Sequence, residues 1–116
     1  MRRVLQLVSA LYALSGQAAD VWTTKIGTER GLREQNPLLR RLVEERRFGQ
    51  ILTLKLGITL VAALAAEWCH RWIRRGPSAA DAFSLSGNLG WFAAGWNLVQ
   101  ISRFEKRQRR YRANVP

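Results

Sequence analysis

The chain is predicted to be all-α, with three transmembrane helices and a short amphipathic helix lying in the membrane interface between the first and second. Three observations predict this. Lysine and arginine, 19 residues against 8 acidic ones, lie almost entirely outside three long stretches, Val4 to Thr24, Gly49 to Cys69 and Ala82 to Ile101. Each stretch is about twenty residues, the length an α-helix needs to cross ~30 Å of hydrocarbon at 1.5 Å per residue. Within them only Asp20, Lys55 and Glu67 are charged. The competing reading, a soluble bundle of three amphipathic helices, calls for charged residues along one face throughout each segment. The mean hydropathy of -0.17 therefore averages two different compositions.

With 116 residues the chain is read as one integral membrane domain, 1–116, ending in a basic tail over 103–116. The first crossing, 4–24, follows Met1-Arg2-Arg3. Together with Ser15-Gly16-Gln17-Ala18-Ala19 this start also has the form of a secretory signal peptide. Continued apolar or weakly polar character through Val21, Trp22, Thr23 and Thr24 favours a retained helix. A polar connector, Lys25 to Gln35, leads to Asn36-Pro37-Leu38-Leu39. Asparagine is a favoured N-cap and proline suits the first helical position, so a short helix is expected to start here. Its alternation of Leu38, Leu39, Leu42 and Val43 with Arg40, Arg41, Glu44 and Glu45 reads as a helix lying on the bilayer. The second crossing, 49–69, ends among Trp68, Arg71, Trp72, Arg74 and Arg75, residues that suit a headgroup boundary. Gly76-Pro77-Ser78 turns the chain, and the third crossing, 82–101, is rich in Gly, Ala and Ser, which let helices approach closely in lipid.

Three crossings put the N-terminus and the Pro77 loop on one side with five Lys or Arg, and the connector and tail on the other with thirteen. The positive-inside rule then places the N-terminus outside and the C-terminus in the cytoplasm of a cell (inner) membrane. The basic tail is read as topology and contact with anionic lipid, in preference to nucleic acid. Cys69 stands alone, so no internal disulfide is available, and the Cys69-His70 pair lacks the ligand count of a zinc site.

Ionisable groups inside a membrane helix are functional candidates by default, because each costs roughly 2.5 to 3.5 kcal/mol at the centre. At 100° per residue Gln6, Ser9, Ala13, Gly16, Gln17, Thr24 and Gly27 fall within about 60° of Asp20, opposite Val4, Leu7, Leu11, Leu14, Ala18 and Trp22. Asp20, Lys55 and Asn97 each lie about four to six residues from the expected cytoplasmic end of their stretch, roughly 6 to 9 Å at 1.5 Å per residue. Asp20, Thr24, Lys55 and Asn97 are therefore expected to form one polar layer. Such a layer either fixes helix register or binds an ion, proton or small polar ligand.

These residues also resemble an uncharacterised family of small prokaryotic three-helix membrane proteins. The resemblance rests on Asp-x-x-Thr-Thr at Asp20, Thr23 and Thr24, on Gly-x-x-Glu-x-Asn-Pro-Leu at Gly31, Glu34, Asn36, Pro37 and Leu38, on Lys55 and on Asn97. It covers most of the chain from Asp20 to Asn97. It singles out the connector motif Glu34, Asn36 and Pro37 beside the polar layer, and implies no activity.

For function, the expectation is a non-enzymatic membrane protein, a small subunit or helix-packing partner of a larger membrane complex, or a homo-oligomer. The alternatives are a holin-like pore former and a carrier or binder using the Asp20 layer. No nucleophile and base pair, metal-ligand set or phosphate loop is visible, and no cofactor is implied.

Overall fold

A continuous seam between two parallel helices organises the molecule. In the computed structural model residues 2–32, 37–74 and 76–116 are described, without the side chains of residues 37 and 38. They form α1 (Arg2–Glu29), α2 (Pro37–Glu44), α3 (Phe48–Ile73) and α4 (Ala79–Asn114). Tyr12 meets Asn88, Asp20 meets Asn97 and Arg30 meets Glu105, so α1 and α4 run in the same direction. Lys55 reaches Asp20, and Glu67 reaches Arg2 and the start of α4, so α3 runs against both. The result is a rod of 68 × 25 × 20 Å.

Local chemistry sets the ends of the helices. Ser78 caps α4: its hydroxyl accepts from the Asp81 backbone N–H, and the Asp81 carboxylate accepts from the Ser78 N–H at 2.8 Å. This reciprocal pair satisfies two donors that a helix start leaves unpaired. It also holds the Asp81 carboxyl below the usual carboxylate range, chiefly through that backbone N–H. At the other end of the turn α3 stops at Arg74, left-handed at φ 54°, followed by Gly76 at φ 105°.

The expectation of three crossings is corrected by the structure. Among the described residues only α3, Phe48–Ile73, is long and apolar enough to cross a membrane. α1 and α4 have the length but are diluted by Gln6, Ser9, Gln17, Asp20, Asn88, Asn97 and Gln100. α4 moreover runs without a break from its apolar stretch through the basic tail to Asn114. The expected interfacial helix is corrected as well. α2 turns Leu39, Leu42 and Val43 onto Val21, Ile51, Phe48 and Leu52, so the face that would sink into lipid is used inside the protein.

Apolar size and burial are inverted relative to a water-soluble bundle. Among the described residues no large side chain is fully buried, and beyond the Val21, Val43 and Ile51 cluster and Ile101 the interior is built from Ala13, Ala63, Ala94, Ser9, Gln17, Asp20 and Thr23. Leu7, Leu11, Ile58, Leu64, Trp68, Leu89, Phe92 and Trp96 point outward, all at least half exposed. Small residues bring α1 and α4 together: a methyl group on Gly90 would lie 2.3 Å from the Gly16 carbonyl carbon, and one on Gly16 would lie 2.6 Å from the Gly87 carbonyl oxygen. Gly16, Gly87 and Gly90 thus put the two backbones in direct contact.

Candidate functional site: the polar seam

The seam begins with the spacing of polar residues on α1. Gln17, Asp20, Thr23 and Thr24 recur at three and four residues, which stacks them on one helix face. The side chain of Gln17 donates to the Ser86 carbonyl at 2.9 Å and to its hydroxyl oxygen at 3.2 Å. The Ser86 hydroxyl in turn lies 2.9 Å from Thr59 Oγ1 on α3. Nearer the α1 start, Tyr12 donates to Asn88 Oδ1 at 2.5 Å and Trp91 donates to Ser15 Oγ at 3.2 Å.

One turn further along, three helices meet at Asp20. Its Oδ2 accepts from the Lys55 ammonium, and its Oδ1 accepts from Asn97 Nδ2 at 3.0 Å. The Thr23 hydroxyl donates back to the Ala19 carbonyl at 2.9 Å, and that of Thr24 donates to the Asp20 carbonyl at 2.9 Å. With their protons committed along the helix, both hydroxyl oxygens present lone pairs to Asn97 Nδ2, at 3.0 and 3.2 Å. With the Asp20 carbonyl at 3.4 Å, the amide of Asn97 is therefore held among four oxygens of α1. The Asp20 and Lys55 side chains keep only 11% and 23% of their surface exposed, so their charges are neutralised by each other more than by solvent.

No family model, curated protein or solved structure matches the chain. The chemistry of the seam accordingly rests on its own geometry. Among the described residues every buried side-chain nitrogen and oxygen has a partner, and no three His, Cys, Asp or Glu side chains come together as a metal site. In the Asp20 layer the carboxylate accepts from an ammonium on one oxygen and an amide on the other, so three helices are joined through one side chain. A shallow crevice beside it is lined by Val21, Thr24, Leu39, Val43, Phe48, Ile51 and Lys55, and is mainly apolar.

Of the residues singled out from the sequence, Asp20, Thr24, Lys55 and Asn97 are brought into contact. Glu34 and Asn36 lie outside the described residues; Pro37 opens α2, its side chain outside the description. Sequence reasoning passed over Thr23 as a layer residue, although it is buried and sits one position before Thr24. It also passed over Gln17 with Ser86 and Tyr12 with Asn88. Gln17 carried a signal, being on the Asp20 face; Tyr12 lies at the rim of that face and carried none.

Glu67 closes the seam at the opposite end. It accepts from Arg2 at 2.5 Å, from Arg71 at 3.5 Å and from the backbone N–H of Ala79 at 3.2 Å. One carboxylate on α3 thereby ties down the first turns of both α1 and α4.

Proposed function

We propose that this chain is a membrane-associated, non-enzymatic helix-packing subunit of a larger membrane assembly, with α3 as its crossing element. The observation that carries the reading is the inverted exterior: the broad leucine, isoleucine, phenylalanine and tryptophan surfaces of α1, α3 and α4 face outward, while hydrogen-bonded polar groups face inward. Water leaves so large an apolar surface unsatisfied, whereas hydrocarbon or the flank of another membrane helix covers it without cost. The Asp20 layer acts in this reading as a register lock, because its charged and amide groups bond to one another across three helices. The resemblance to small prokaryotic membrane proteins agrees with this reading and adds no activity.

The charge distribution supports an orientation. Lys25, Arg30, Arg40, Arg41, Arg46, Arg47 and the six cations from Arg103 to Arg112 all lie towards one end of the rod, and Arg2, Arg3, Arg71 and Arg74 towards the other. The more basic end faces the cytoplasm in this proposal. Purification from native membranes in mild detergent tests the subunit role. A stoichiometric second polypeptide is expected in the native mass spectrum; the chain emerging alone, or only as multiples of itself, would sink the role. Release of the chain by alkaline carbonate would sink the membrane association.

A further inference from the structure

The last three turns of α4 leave the body of the protein. Among the described residues the final tie between α4 and the rest of the protein is the ion pair of Glu105 with Arg30, just past the end of α1, beside the close approach of Phe104 to Gly31. Beyond it the helix continues to Asn114. Lys106, Arg107, Arg109, Arg110 and Arg112 are all exposed, and among the described residues none of them has a carboxylate partner. Glu105, the acidic residue next to them in sequence, is already engaged with Arg30.

Charge density and angular spread identify what would neutralise such a helix. Five cations within seven residues span about 9 Å, one per roughly 2 Å, close to the ~1.7 Å between successive charges along duplex DNA. At 100° per residue the five occupy about 220° of the circumference. A flat anionic bilayer touches one strip of a helix, and an interfacial helix needs an apolar strip to sink, which residues 105–114 do not offer. A DNA major groove, ~12 Å wide with phosphates on both walls, receives a helix ~10–12 Å across and meets cations on both of its flanks. Repulsion among Lys106, Arg109, Arg110 and Arg107 at three- and four-residue spacing opposes the bare helix, and phosphates relieve it.

We propose that the projecting C-terminal segment of α4, Lys106 to Arg112, is a duplex-DNA binding element that engages phosphates without reading sequence. This goes beyond the subunit role and does not require the membrane reading, since the element lies outside the packed body. The test uses the full chain in nonionic detergent and a fluorescent 20-base-pair DNA duplex of arbitrary sequence. Five phosphate contacts give a log–log salt slope of about -4.5, so raising salt from 50 to 200 mM weakens binding about 500-fold. Replacing Lys106, Arg107, Arg109, Arg110 and Arg112 by Gln keeps helix propensity, which circular dichroism verifies, and is expected to weaken binding at least ~100-fold at low salt and flatten the slope. Arg3→Gln with Arg74→Gln, at the opposite end, should leave the affinity unchanged. A five-Gln chain that binds DNA as tightly as the parent overturns the proposal. So does a parent that ignores the duplex yet floats with anionic phospholipid vesicles in a manner the five substitutions abolish, which would assign the element to lipid headgroups.

Discussion

Replacing Gly90 by alanine probes a direct backbone-to-backbone approach between α4 and α1. The added methyl would lie 2.3 Å from the Gly16 carbonyl carbon, 2.5 Å from its oxygen and 2.7 Å from the Gln17 nitrogen. All three are backbone atoms of α1, so no side chain can swing aside, and reaching ordinary contact near 3.5 Å requires the helices to part by about 1 Å. The neighbouring bonds have little slack. Gln17 to Ser86 at 2.9 Å is one turn away, and Asn97 to Asp20 at 3.0 Å is two turns away. Overpacking costs typically ~1–3 kcal/mol, and a stretched interhelical hydrogen bond adds roughly 0.6. Alanine recovers up to ~1 kcal/mol of helix propensity over glycine. The net expectation is a loss of about 2 kcal/mol. Gly95→Ala serves as the matched control, because nothing lies within 4 Å of its added methyl, and it should be neutral or stabilising by up to ~1 kcal/mol. Denaturant unfolding in detergent, followed by tryptophan fluorescence, compares the two. Equal midpoints, or a Gly90→Ala chain more stable than Gly95→Ala, would show that α1 and α4 do not touch at this crossing.

Three further outcomes follow from the ties between helices. Asp20→Asn and Lys55→Met should each destabilise by about 2 kcal/mol, because each leaves a poorly solvated partner, while the double variant loses less than their sum; additive losses in a double-mutant cycle would mean the two side chains are independent. The Asp81 carboxyl is held below its ordinary range, so its contribution is complete above the unfolded carboxylate pKa and fades as pH falls through the lower folded value. Parent and Asp81→Asn should therefore differ in unfolding midpoint at neutral pH and converge in acid; a gap that persists at the lowest pH would refute the capping argument. Arg2→Ala should lower stability less than Glu67→Gln, since the exposed Arg2 has one partner and Glu67 joins Arg2, Arg71 and the Ala79 N–H; the reverse order in thermal melts would assign the tie to Arg2.

The phase of α1 was readable from the chain because helical periodicity is local. The 100° step alone places Ser9, Ala13, Gly16, Gln17 and Asp20 on one side, and these residues are buried. Combining phase with depth along each stretch brought Asp20, Lys55 and Asn97 to a common level, where their side chains touch. The number of crossings was misjudged because a low density of charge was equated with apolarity. Uncharged Gln6, Gln17, Asn88, Asn97 and Gln100 depress hydropathy without adding charge, and Gln17, Asn88 and Asn97 pair across an interface that no single segment reveals. The docking of α2 on Val21 and Ile51 was hidden for a related reason. An amphipathic helix presents the same pattern to a bilayer as to a neighbouring helix.

The parallel pairing of α1 with α4 has a consequence for the order of events during synthesis. The seam joins residues 69 to 77 positions apart, from Gln17 with Ser86 to Asn97 with Asp20. When α1 emerges its polar face has no counterpart, and the first long-range relief comes from Lys55, 35 residues later. Until α4 is made, Gln17 and one oxygen of Asp20 stay unmatched, and closing so wide a loop is slow. A nascent chain stalled before Ser86 therefore shows an open polar face on α1, with the Gln17 donor and an Asp20 acceptor unmatched, a surface that a chaperone or a neighbouring subunit would meet before the protein's own last helix does.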